Sequence, residues 1–119
     1  MKYLMLIITG LLFIGLVSAV PVQYNLGLKF TGFEKHGNDT MVIVKVYAGQ
    51  HLVKKVALTQ GVMTDIGNNI SIKYVGSEVH ANVLYAIVEV YKNGAIVSKD
   101  ALAIGQLKEF SLVYLTVAF

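Results

Sequence analysis

The chain has 119 residues, enough for one domain, and is 55% hydrophobic with only 14% charged residues. It holds no Cys and no Arg, which excludes disulfide staples, lipoprotein acylation and bidentate reading of phosphate or guanine. The net charge of +3 rests on lysines scattered along the sequence. That is the pattern of a solvated surface, and nucleic acid is not an expected partner.

Met1-Lys2-Tyr3 is a short basic start, and Leu4 to Val17 is an apolar run too short for a confident membrane span. Val17-Ser18-Ala19 offers small residues to a signal peptidase. Residues 1–19 are therefore read as a signal peptide, with an uncleaved anchor as the alternative. The expected address is secreted, extracellular and at the cell surface. Residues 20–119 remain as the domain. In an oxidising compartment without Cys, stability must come from the core, a bound ion or neighbouring copies.

Val22, Tyr24, Leu26, Leu28 and Phe30 alternate with polar or small residues, the pattern of a half-buried strand. Thr31 to Thr40 reads as a polar loop. Met41–Ala48 and His51–Leu58 form a hairpin around Gly49-Gln50, where Gly suits the first position of a type II′ turn. Asp65 to Asn69 reads as a turn, Ile70 to Val75 as a strand, and Gly76-Ser77-Glu78 as another turn. Tyr85 to Leu102 is a second hairpin around Asn93-Gly94, a type I′ signal. Its Leu84, Ala86, Val88 and Val90 share one face; Tyr85, Ile87, Glu89 and Tyr91 share the other. Glu109 to Phe119 is the last strand, apolar on both faces.

The two hairpins match at an offset of 44. Over residues 43–66 against 87–110, nine of 24 positions are identical, among them Tyr47/Tyr91, Lys55/Lys99 and Gly61/Gly105. This reads as an internal duplication of one supersecondary unit. Seven short strands with turn signals between them predict an all-β, single seven-stranded Ig-like/Greek-key β-sandwich. A membrane barrel is disfavoured, because its strands would be short and would carry Lys and Glu on lipid faces.

Ala57-Leu58-Thr59-Gln60-Gly61, Asp65-Ile66-Gly67-Asn68-Asn69-Ile70-Ser71-Ile72 and Val88-Glu89-Val90-Tyr91-Lys92-Asn93-Gly94 follow in that order. Over roughly residues 57–105 this resembles the β-sandwich modules of archaeal S-layer and related cell-surface proteins. The resemblance implies a surface location and a structural role. The chain holds one such module, without the further domains of the large S-layer proteins.

No catalytic motif is present, and the acids Asp39, Asp65, Asp100, Glu34, Glu78, Glu89 and Glu109 form no close pair in sequence. The expectation is a non-enzymatic protein with no cofactor and no small-molecule substrate. His36, His51 and His80 fall in or beside turns without a ligand motif. Glu34, Asn38 and Asp39 could furnish oxygen ligands for Ca²⁺, at low carboxylate density. Asn38-Asp39-Thr40 and Asn69-Ile70-Ser71 are glycosylation sequons, making Asn38 and Asn69 candidate acceptors.

Ile43, Tyr47, Ile87 and Tyr91 occupy equivalent places opposite the predicted core face. They are candidate interface residues, with a two-sided core lacking any partner as the alternative. Lys45 and Glu89 are also equivalent, opposite in charge, and would pair if their strands were neighbours. The leading functional expectation is self-association into a layer or filament as a homo-oligomer or polymer. One route is strand donation by Val22, Tyr24, Leu26, Leu28 and Phe30, against simple pairing within the domain. The alternative function is an adhesin-like or carbohydrate-binding module that presents Tyr47 or Tyr91 to surface glycans.

Overall fold

The computed structural model describes residues 20–118, and every element below lies within them. The expected signal peptide and Phe119 lie outside the described residues. Eight strands follow one another: β1 Val20–His36, β2 Asp39–Ala48, β3 His51–Leu58, β4 Met63–Gly67, β5 Ile70–His80, β6 Val83–Lys92, β7 Ala95–Ala103 and β8 Leu107–Ala118. They form two antiparallel sheets arranged as a sandwich. Sheet I has the order β3-β2-β1-β8, and sheet II has the order β4-β5-β6-β7.

The all-β expectation holds, with corrections. Among the described residues there are eight strands rather than seven, because Met63–Gly67 is a strand that reaches into the expected Asp65–Asn69 turn. Its Ile66 side chain is fully buried in the core, and the reversal falls at Asn68-Asn69, with φ of 60° and 59°. The polar stretch Thr31–Thr40 is not a loop. β1 and β2 stay paired out to His36↔Asp39, with Gly37 at the tip. A ladder satisfies its own backbone groups, so it can run beyond the core without apolar side chains. Gly76-Ser77-Glu78 is likewise strand, and the turn comes at Ala81-Asn82. Each sheet is a three-stranded meander joined by one strand from the other half of the chain: β8 returns beside β1, and β4 pairs with β5.

The core is made by alternation, as read from the sequence. Leu26, Leu28 and Phe30 of β1 and Val42, Val44 and Val46 of β2 meet Ile70, Ile72 and Tyr74 of β5 and Ala86, Val88 and Val90 of β6. β-Branched residues suit these half-buried pleats. The Asn93-Gly94 turn has positive φ at both residues, 53° and 83°, as a type I′ turn requires. Gly49 has φ 64°, and a Cβ there would meet the Tyr24 ring at 2.9 Å. Both the turn and the close approach exclude a side chain.

The 44-residue offset reaches much further than the two hairpins. The β1–β2 ladder shifts register between Phe30 and Gly32, and the β5–β6 ladder shifts between Tyr74 and Gly76. The β2–β3 ladder shifts at Val46/Tyr47, and β6–β7 at Val90/Tyr91. Gly61 N–H donates to the Tyr74 carbonyl at 2.8 Å, and Gly105 N–H donates to the Phe30 carbonyl at 2.8 Å. Glu34 contacts His36 at 2.6 Å, and Glu78 contacts His80 at 2.7 Å. The fourth strands obey the same rule. β4 follows the first three-stranded meander but pairs with β5, Met63 opposite Lys73. β8 follows the second but pairs with β1, Leu107 opposite Lys29. Each half thus hands its fourth strand to the sheet of the other.

Candidate functional site

The surfaces available for function are the outer faces of the two sheets and their open edges. Alternation puts Lys29, Lys45 and Tyr47 on the outer face of sheet I, since Leu28, Phe30, Val44 and Val46 point inward. On sheet II the same argument puts Lys73, Ile87, Glu89 and Tyr91 outside. All four candidate interface residues are therefore on outer faces. Ile43 is nonetheless 8% exposed and Tyr47, Ile87 and Tyr91 are half-buried, shielded by their neighbours on the same face.

Lys45 and Glu89 do not pair; they sit on different sheets. Glu89 lies opposite Lys73, its Oε1 3.7 Å from the ammonium, and accepts a 2.7 Å hydrogen bond from the Tyr91 hydroxyl. That hydrogen bond, with some loss of solvent and the nearby carboxylate charge, pushes the Tyr91 phenol above its ordinary pKa. The corresponding row on sheet I has no acid. Lys29 lies opposite Lys45, and Lys45 opposite Lys55. None of the three forms an ion pair among the described residues. Sequence reasoning took these lysines as scattered. The offset already aligned Lys45 with Glu89 and Lys55 with Lys99, but which strands were neighbours was needed to see the row.

Two strands end their sheets in equivalent positions, β3 in sheet I and β7 in sheet II. Each carries a bulged valine, Val53 or Val97, that the ladder skips. With Leu52 and Ile96 beside them they leave apolar side chains in water, 38% to 54% exposed. Along β3 the edge reads Lys54-Lys55; along β7 it reads Ser98-Lys99-Asp100. Asp100 meets Lys108 at 3.8 Å, accepts from the Ser98 hydroxyl, and stands beside a shallow groove lined by Val97, Ser98, Phe110, Ser111 and Leu112.

Side chains bridge the two sheets near the β4–β5 turn. The Tyr114 hydroxyl donates to the Ile66 carbonyl at 2.5 Å. The Asn68 side-chain amide donates to the Leu115 carbonyl at 3.0 Å and accepts from the Leu115 N–H at 2.8 Å. Asn68 thus does the work of a strand residue and ties β4 to β8. Burial raises the Tyr114 phenol above its ordinary pKa, with the Asp65 charge adding to the rise.

Comparison with protein-family models, with curated proteins and with solved structures gives no match. The surfaces carry the functional argument by themselves.

The other candidates are placed as follows. Asn38 and Asn69 are exposed at hairpin tips, where a glycan would meet no neighbour from the core. Val22, Tyr24, Leu26, Leu28 and Phe30 lie within β1, which is paired on one side with β8 and, from Leu26 on, with β2 on the other. Of the oxygen donors considered for Ca²⁺, Glu34 is engaged with His36. Among the described residues no three His, Asp or Glu side chains gather as a metal site. His51 stacks edge-on against Tyr24 at 5.4 Å.

Proposed function

We propose that this chain is a secreted, non-enzymatic cell-surface protein that self-associates into a filament or layer through its open edges. The observation that carries the proposal is the equivalence of β3 and β7: same register, same bulge, same exposed valine. Unpaired edges present rows of N–H and C=O groups that template another strand. A molecule with two equivalent edges can repeat one contact at both ends. Charge favours unlike edges. Two β3 edges would bring Lys54 and Lys55 against their own copies, whereas β7 offers Ser98 and Asp100 at the places of Lys54 and Val56. A β3-to-β7 contact is head-to-tail, and such contacts build open filaments unless the rotation closes a ring.

Strand donation by the β1 residues is the other route to a polymer. It requires β1 to leave a place where it already makes ladder bonds, so edge addition is the cheaper step. The repeated register supports an origin by duplication of a four-strand unit. The resemblance to surface-layer modules agrees with the structural role.

The test is Val97→Lys, which puts a charge on the β7 edge at a side chain that is itself exposed. Head-to-tail association predicts a folded monomer that no longer assembles. Assembly at wild-type concentration would remove β7 from the contact.

A further inference from the structure

We propose that the outer face of sheet I binds a linear acidic polysaccharide across the row Lys29–Lys45–Lys55. Binding on this face does not require self-association. Register places the three lysines directly opposite one another on adjacent strands. Strand spacing sets their pitch at about 4.8 Å, close to the length of one sugar ring. Like charges in such a row oppose each other's presence, and none is compensated by an ion pair among the described residues.

The equivalent row on sheet II is Lys73–Glu89–Lys99, neutralised in part by Glu89. One frame therefore carries two charge patterns, and the uncompensated one is on the face that also holds Tyr47. Gly27, between Tyr47 and Leu107, has no side chain, and a Cβ there would sit 3.0 Å from the Leu107 Cδ1 and 3.3 Å from the Tyr47 Cβ. The Tyr47 and Leu107 side chains close over Gly27, and Tyr47 lies on the same face as the cationic row.

Ammonium groups in a row meet a polymer of carboxylates as point charges, without the directional fork that phosphate recognition by Arg uses. A half-exposed tyrosine beside them offers apolar contact to a sugar ring. Both features fit a uronate polymer. A lipid surface would meet the same charges, and the test separates the two. Glu109, opposite Gly27 on β8, limits the positive strip on one side.

The experiment titrates the full chain with polygalacturonate at low salt, with neutral dextran and phosphatidylglycerol vesicles as comparison probes. Binding to polygalacturonate should weaken about tenfold between 50 and 200 mM salt. Lys45→Glu reproduces the row that sheet II already tolerates and should weaken binding by at least about fivefold. Glu89→Lys builds a second lysine row and should strengthen it. Circular dichroism checks that both variants keep the fold. Equal affinity of wild type and Lys45→Glu, or equal binding to dextran, would overturn the proposal. Row-dependent binding to the vesicles alone would overturn the polysaccharide assignment. A protein that stays monomeric yet binds the polymer would leave this inference standing and sink the filament reading.

Discussion

Sheet I and sheet II use the same ladder three strands wide, with bulges at the same places, yet differ where the ladder faces water. At the central position of the outer row one has Lys45 and the other Glu89. In sheet II the acid joins Lys73 and the Tyr91 hydroxyl into a local network. In sheet I none of the three lysines forms an ion pair among the described residues. The inner faces are apolar in both halves, where a polar group would be left without a partner. The outer faces differ, and a difference there changes what the molecule can touch without changing how it folds.

The comparison can be broken most severely from inside. Phe30 is fully buried and its equivalent Tyr74 is 6% exposed. Phe30→Ala should cost about 3–5 kcal/mol in denaturant unfolding. Tyr74→Ala should cost less, since the Tyr74 hydroxyl already reaches Ser77 at the rim, 3.0 Å away. Equal losses would mean that the halves are packed alike.

Next comes charge. Glu89→Lys removes the Tyr91 hydrogen bond and the Lys73 pair and adds like-charge opposition, for a loss of about 1–2 kcal/mol by the same measurement. Lys45→Glu should move stability the other way, by about 0.5 kcal/mol.

The Tyr114 bridge gives a pH test. Tyr114 has a raised pKa in the folded chain, so the folded state holds that proton when the unfolded chain releases it. Stability is therefore intact below the ordinary tyrosine value of 10.0 and falls as pH rises from there through the raised value. Tyr114→Phe should cost about 1 kcal/mol near neutral pH through the lost bond to Ile66. It should also flatten the alkaline decline seen in thermal melts; an unchanged decline would assign it to other groups.

The smallest change sharpens the equivalence of the hairpin tips. Gly37 and Ala81 stand at matching places with φ of 64° and 51°. A left-handed conformation strains alanine and not glycine. Ala81→Gly should raise stability by about 0.5–1 kcal/mol in chemical denaturation.

Much of this frame is legible in the sequence. Alternation located the inward residues of β1, β2, β5 and β6, and Asn93-Gly94 located its turn, because both signals are local. β4 was missed because five residues around Asp65 and Gly67 carry more turn chemistry than periodicity. The Thr31–Thr40 stretch was missed because polar strands that pair beyond the core show no alternation. The offset held the remedy: Glu34, His36 and Asn38 recur as Glu78, His80 and Asn82, and one extended pair would have implied the other. The lysine row needed register, which depends on which strands are neighbours and where each ladder slips.

The measurement that tests the central claim most directly is light scattering with negative-stain electron microscopy on Val20–Phe119 across a concentration series. Two equivalent open edges predict growth into ordered filaments or sheets as concentration rises. A strict monomer at high concentration would contradict that account.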